Sequence, residues 1–109
     1  MIIAVDFDGT IVEHDYPEIG APKKNAIKTL KDLQKAGHLI IIWTCRCEPY
    51  LSPMTKYLND NGFYPDAVNA NLGSVRGMAM PKIFANMYID DKNFPPFPGW
   101  NWVRTQLLC

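Results

Sequence analysis

Two pairs of carboxylates are the chemistry this 109-residue sequence offers first: Asp6 and Asp8, followed by Gly9-Thr10, and Asp90-Asp91. Each pair closes an apolar run, Ile2-Ile3-Ala4-Val5 in the first case and residues 83–89 in the second. Thr44 stands at the end of a third apolar run, residues 39–43, and Lys82 stands immediately before residues 83–89. Phosphoryl transfer from a monoester needs such parts. A carboxylate attacks phosphorus, a cation and a lysine offset charge on the phosphoryl oxygens, a hydroxyl orients them, and an acid protonates the leaving oxygen. Carboxylate and water oxygens suit magnesium better than zinc. Asp8-Gly9 between two apolar runs is also a hairpin signal, so the first pair alone does not decide between turn and site. The recurrence of the pattern at Asp90-Asp91 favours the site.

The elements that must carry these groups follow from the apolar runs. Short continuous apolar runs read as strands buried on both faces, and sites in open α/β sheets lie outside the carboxyl ends of such strands. A side-chain period of two lets Asp6 and Asp8 start on one side, with Gly9 supplying freedom for a sharp exit. The same alternation predicts that one of Asp90 and Asp91 faces the site and the other turns away. Residues 17–22 are turn-rich and form at most a flap. Pro22 is a first helical residue for an amphipathic helix with Ala26, Leu30 and Leu33 on its apolar face, ending at Gly37. Its lysines form a solvated face. Residues 38–43 give a second strand, and a right-handed crossover places Thr44 beside Asp6 and Asp8. Ser52-Pro53 reads as cap and first residue of a second helix that stops at Asn61-Gly62. Residues 67–69 give a short third strand, and residues 71–81 a loop in which Met78 and Met80 fill gaps over a core. Pro95, Pro96 and Pro98 make a rigid loop rather than a strand or a polyproline ligand, and Trp100, Val103 and Leu107 mark a closing helix.

Totals narrow the class. The length suits one domain over residues 1–109, nearly half the residues are apolar, and the formal charge is zero, as in an ordinary globular protein. Neutrality argues against binding nucleic acid through bulk electrostatics. No apolar stretch is long enough to span a bilayer, and Asp6 interrupts the first run before it could act as a signal peptide. A cytosolic protein with no membrane partner is the expectation. Three cysteines, with Cys45 and Cys47 separated by one residue, argue for reduced thiols, and His14 and His38 lack the spacing of a zinc site.

With these residues in place, the chain resembles the haloacid dehalogenase superfamily of phosphohydrolases. Asp6-Phe7-Asp8-Gly9-Thr10 matches its signature in full, and Thr44, Lys82 and Asp90-Asp91 match its later motifs in order. The resemblance covers residues 2–92. It implies a three-layer Rossmann-like α/β sandwich with a mostly parallel sheet of strand order 3-2-1-4. It also implies that Asp6 is the nucleophile forming an aspartyl-phosphate and Asp8 the general acid and then base. Magnesium would be held by Asp6, the Asp8 backbone carbonyl, and Asp90 or Asp91.

Two departures shape the expectation. The second acidic motif is a bare Asp-Asp pair, and neither gap after the first two strands has room for the cap domain that the family often inserts. Members with minimal caps tend to act on bulky phosphorylated substrates or to complete the site by oligomerisation. Residues 94–102, rich in aromatics, are the candidate interface of a homo-oligomer, though the tryptophans can equally pack on their own sheet. Arg46, two residues past Thr44, is placed to clamp a second anionic group of the substrate. Substrate choice is assigned to residues 48–51 and 69–81. A catalytically silent phospho-ligand or partner-binding module is the main rival class. A polynucleotide or protein phosphatase is a narrower one, separable by salt-dependent binding to single strands.

Overall fold

In the computed structural model, which describes residues 1–72 and 82–108, the apolar runs form four parallel strands. They are β1 (Ile2–Val5), β2 (Leu39–Ile42), β3 (Ala67–Val68) and β4 (Met87–Ile89), in the order β3-β2-β1-β4. Helix α1 (Ala26–Lys35) links β1 to β2, α2 (Leu51–Asp60) links β2 to β3, and α3 (Trp100–Leu108) follows β4. Each of the first two links holds one helix and no inserted domain.

Alternation along the strands divides the core. Ile3, Val5, Ile40 and Ile42 face Leu30 and Leu33 of α1, Met54 and Leu58 of α2, and Trp100 and Val103 of α3. Ala4 and Ile41 point the other way and pack with Ile83, Leu72 and Ala85. The sheet is therefore the middle layer, covered on both faces as a parallel sheet must be. No helix among the described residues is long and apolar enough to cross a membrane.

Element boundaries moved for identifiable reasons. Strand β4 begins at Met87 and not at residue 83, because Asn86 locks onto the start of β1. The Asn86 N–H donates to the Ile2 carbonyl, and its side-chain oxygen accepts the Ile2 N–H, both at 2.7 Å. Upstream, Ile83 and Ala85 cover the sheet instead of extending it. Pro22 does not open α1; it bridges Val12 in an antiparallel pair, and the helix starts after Asn25 in a left-handed conformation. Ser52 is not the cap of α2. The Glu48 carboxylate takes that place by accepting both the Ser52 N–H at 2.8 Å and the Ser52 hydroxyl. Of the expected loop over residues 71–81, positions 73–81, including Met78 and Met80, lie outside the described residues.

The aromatic segment after β4 divides. Phe97 and Trp100 pack edge to face against the core, whereas Phe94 is 98 % exposed and Trp102 about half exposed. Trp100 also donates its indole N–H to the Thr10 carbonyl at 2.7 Å, fully out of solvent. Trp100→Phe keeps most of the apolar contact but leaves that carbonyl without its donor. A loss of about 1–3 kcal/mol in urea unfolding is expected; an unchanged midpoint would show that the bond contributes nothing to the anchoring of α3.

Candidate active site

Register brings the acidic groups together. Val5 is level with both Ile42 and Ile89, so the residues just past the strand ends, Asp6, Trp43 and Asp90, emerge side by side. The Asp6 N–H donates to the Ile89 carbonyl at 2.9 Å and the Trp43 N–H to the Val5 carbonyl at 2.8 Å, which extends the ladder to the edge itself. Asp8-Gly9 does not make a hairpin between sheet strands. The Phe7 carbonyl accepts the N–H groups of Thr10 and Ile11 in a tight turn, after which residues 12–22 fold back as a flap. Gly9 has φ 86, and a Cβ there would overlap the Asp91 carboxylate. Glycine is needed on both counts.

Thr10 ties the two acidic motifs to each other. Its buried hydroxyl donates to Asp6 Oδ2 and accepts the Asp91 N–H, both at 2.9 Å. Asp6, Asp90 and Asp91 each bring a carboxylate oxygen within 4.8 Å of the others. Alternation was expected to turn one of the last two away. The strand ends at Ile89, however, and the chain turns at Asp91-Lys92, so both acids join the cluster. Burial pushes the Asp6 carboxyl up to about 7; the Thr10 bond opposes this, and the charges of Asp90 and Asp91 add to it. Such a group of oxygen donors fits a hard divalent cation, which would relieve the repulsion directly.

The other expected site residues are brought to the same edge, with one correction. An open cleft of about 410 Å³ is lined by Asp6, Asp8, Thr44, Asp90 and Asp91. Asn69, at φ 51, brackets Thr44 by accepting its N–H at 2.8 Å and donating to its carbonyl at 2.9 Å. Lys82 lines an adjoining recess with Asp6 and Asp90, and its ammonium lies 5.0 Å from the centre of the Tyr88 ring. Arg46 is not free to clamp a substrate. It is 2 % exposed and grips Asp8 through two bonds of 2.8 Å, one to each carboxylate oxygen. Its remaining donors go to backbone carbonyls. The Asp8 carboxylate correspondingly lies outside the cluster of Asp6, Asp90 and Asp91. Cys45 and Cys47 are free and exposed, Cys45 on the cleft wall. Sequence reasoning missed the roles of Thr10 and Asn69; the threonine closing the first motif was the available signal for one of them.

Fold and site define an α/β protein with an acidic, cation-suited site outside the carboxyl edge of a parallel sheet. Residues 3–95 match the sequence model of haloacid dehalogenase-like hydrolases, and the chain belongs to that family. A solved structure of a conserved protein from Bacteroides thetaiotaomicron is 36% identical, superposes with a TM-score of 0.93, and is matched over 99% of this chain and 89% of that one. A D,D-heptose 1.7-bisphosphate phosphatase from B. bronchiseptica, complexed with magnesium and phosphate, is 15% identical over 62% of this chain and 47% of that one, with a TM-score of 0.47. Comparison with curated proteins gives no match.

The raised Asp6 carboxyl has a consequence for stability. Its folded value of about 7 lies above the 3.8 of an unperturbed carboxyl, so the folded chain holds a proton that the unfolded chain has released. Stability is therefore lost as pH rises through that interval. Asp6→Asn removes the effect. In buffer with a chelator, the melting temperature of the variant relative to the wild type is expected to climb from about pH 5 to about pH 8, by several degrees, since about 1 kcal/mol moves a domain of this size by about 4–8 °C. A difference that does not change with pH would contradict the raised Asp6 carboxyl.

Proposed function

We propose that the protein is a magnesium-dependent phosphatase that hydrolyses a phosphate monoester through an aspartyl-phosphate on Asp6. The observation that carries this reading is the convergence of Asp6, Asp90 and Asp91 within 4.8 Å, in a family of hydrolases. Asp8 and Thr44 line the same cleft.

The reaction starts with Asp6 ionised, a form that a bound cation would favour, and Asp8 protonated; an Asp6 oxygen attacks phosphorus, the bond from phosphorus to the leaving oxygen breaks, and Asp8 gives that oxygen its proton. In the second step water attacks the aspartyl-phosphate, Asp8 takes a proton from it, and the bond from phosphorus to the Asp6 oxygen breaks. Inorganic phosphate leaves and both carboxyl groups return to their starting states. The Thr10 hydroxyl orients Asp6 by holding Oδ2. The Thr44 hydroxyl and the Lys82 ammonium bind phosphoryl oxygens, where preorganised donors and charge act on the transition state. Asp6, the Asp8 carbonyl and Asp90 or Asp91 would hold magnesium, which supplies positive charge beside those oxygens when bound. Among the described residues the links after β1 and β2 hold no inserted domain, and the reading takes the substrate to be bulky or a second copy of the chain to cover Asp6.

A second reading, a phospho-ligand-binding module without turnover, draws on the engagement of both Asp8 oxygens by Arg46. Turnover separates the two. The phosphatase reading expects hydrolysis of an aryl phosphate that requires magnesium, stops with a chelator and vanishes in Asp6→Asn. Lys82→Ala is expected to lower turnover by on the order of a hundredfold while the fold persists. Activity surviving in Asp6→Asn, in protein freed of contaminants, would sink the assignment. An unaltered rate with a lower melting temperature in Lys82→Ala would make Lys82 structural.

A further inference from the structure

Among the described residues Arg46 is the one charged side chain buried in the fold. All five of its N–H donors are used. Nε and one Nη2 donor take the two oxygens of Asp8 at 2.8 Å each. The other Nη2 donor reaches the Glu18 carbonyl at 2.8 Å, and Nη1 reaches the carbonyls of Pro17 at 3.0 Å and Tyr50 at 3.2 Å. The guanidinium carbon lies 5.3 Å from the centre of the Phe7 ring and 5.1 Å from that of Tyr16. The bond to Asp8 also holds the guanidinium charged more firmly than usual.

Three parts of the chain meet on this one plane. Pro17, Glu18 and Tyr16 belong to the flap, Tyr50 to the turn entering α2, and Asp8 to the exit from β1. A guanidinium is a rigid planar fork, so fixing three carbonyls and two ring contacts fixes the plane of its remaining two donors. Those donors in turn set the plane of the Asp8 carboxylate. Lifting the flap would strip two acceptors from a buried cation, and leaving buried charged donors unpaired is costly.

We propose that Arg46 is a positioning residue that acts through Asp8: it sets the plane of the carboxyl that hands a proton to the leaving oxygen, and it registers that plane to the folded flap. The substrate is not its ligand. This rests on the phosphatase reading for the part played by Asp8, and on the geometry alone for the coupling between Asp8 and the flap.

Arg46→Lys keeps the charge and loses the fork, and kcat/KM reads the step in which the leaving group departs. A nitrophenyl phosphate has a leaving oxygen that needs no proton; an alkyl phosphate such as glycerol phosphate does. The variant is expected to lose at least about tenfold more kcat/KM on the alkyl than on the aryl ester, within the range that general acids supply. In an Asp8→Asn background the same change is expected to add less than about twofold, since groups acting as a unit are not additive. Equal losses on both esters, or the full loss repeated in the Asp8→Asn background, would overturn the role. Amide exchange in the absence of substrate gives a readout free of turnover. Both Arg46→Lys and Asp8→Asn should speed exchange at the hydrogen-bonded flap amides of Glu13 and Glu18 by about tenfold. Unchanged exchange in both variants would overturn the coupling. If the wild-type chain hydrolyses neither ester, the phosphatase reading fails, and exchange still decides whether Arg46 couples Asp8 to the flap.

Discussion

Three carboxylates within 4.8 Å of one another repel, and the rest of the structure serves to hold them there. The central strand β1 is fixed on both sides by parallel partners, so Asp6 cannot retreat from Asp90 without breaking register. Thr10 adds the crosspiece between Asp6 and Asp91, and Trp100 of α3 clamps the Thr10 carbonyl from behind. A helix far along the chain thus helps to hold the nucleophile candidate. The raised Asp6 carboxyl registers its burial first, and the charges of Asp90 and Asp91 add to it. A divalent ion would turn that repulsion into affinity.

The two aspartates of the first motif differ through their surroundings. Asp6 sits among other acids and is held by a neutral hydroxyl; Asp8 sits on a buried arginine. In the reaction proposed for this site, a cation beside Asp6 would favour its ionised form as nucleophile, and Asp8 carries its proton while held by Arg46. Arg46 was expected at the mouth of the site as a clamp for substrate, and it is instead part of the wall.

Features carried by runs of residues were legible in the sequence. The placement of both acidic pairs at strand ends and the closing helix followed from apolar periodicity, and the strand order from the resemblance. Features that depend on one long-range partner were not. Nothing near Arg46 announces that Asp8, Pro17 and Glu18 will take four of its five donors. Nothing near Ser52 shows that Glu48 will take over its capping role, and β4 is short because Asn86 meets Ile2 from the far end of the chain. Asp90 and Asp91 both reach the cluster because the strand ends at Ile89 and the chain turns at Asp91-Lys92, where strand alternation no longer applies. Local rules hold while an element lasts, and the site begins where the elements end.

The central claim is that Asp6 becomes covalently phosphorylated. Rapid acid quenching of the protein during turnover of an alkyl or aryl phosphate with magnesium, followed by mass spectrometry of its peptides, reads this directly. The account predicts one added phosphoryl group on the N-terminal peptide, localised to Asp6, labile to hydroxylamine and absent from Asp6→Asn. Steady release of phosphate with no such adduct, or an adduct on another residue, would contradict it.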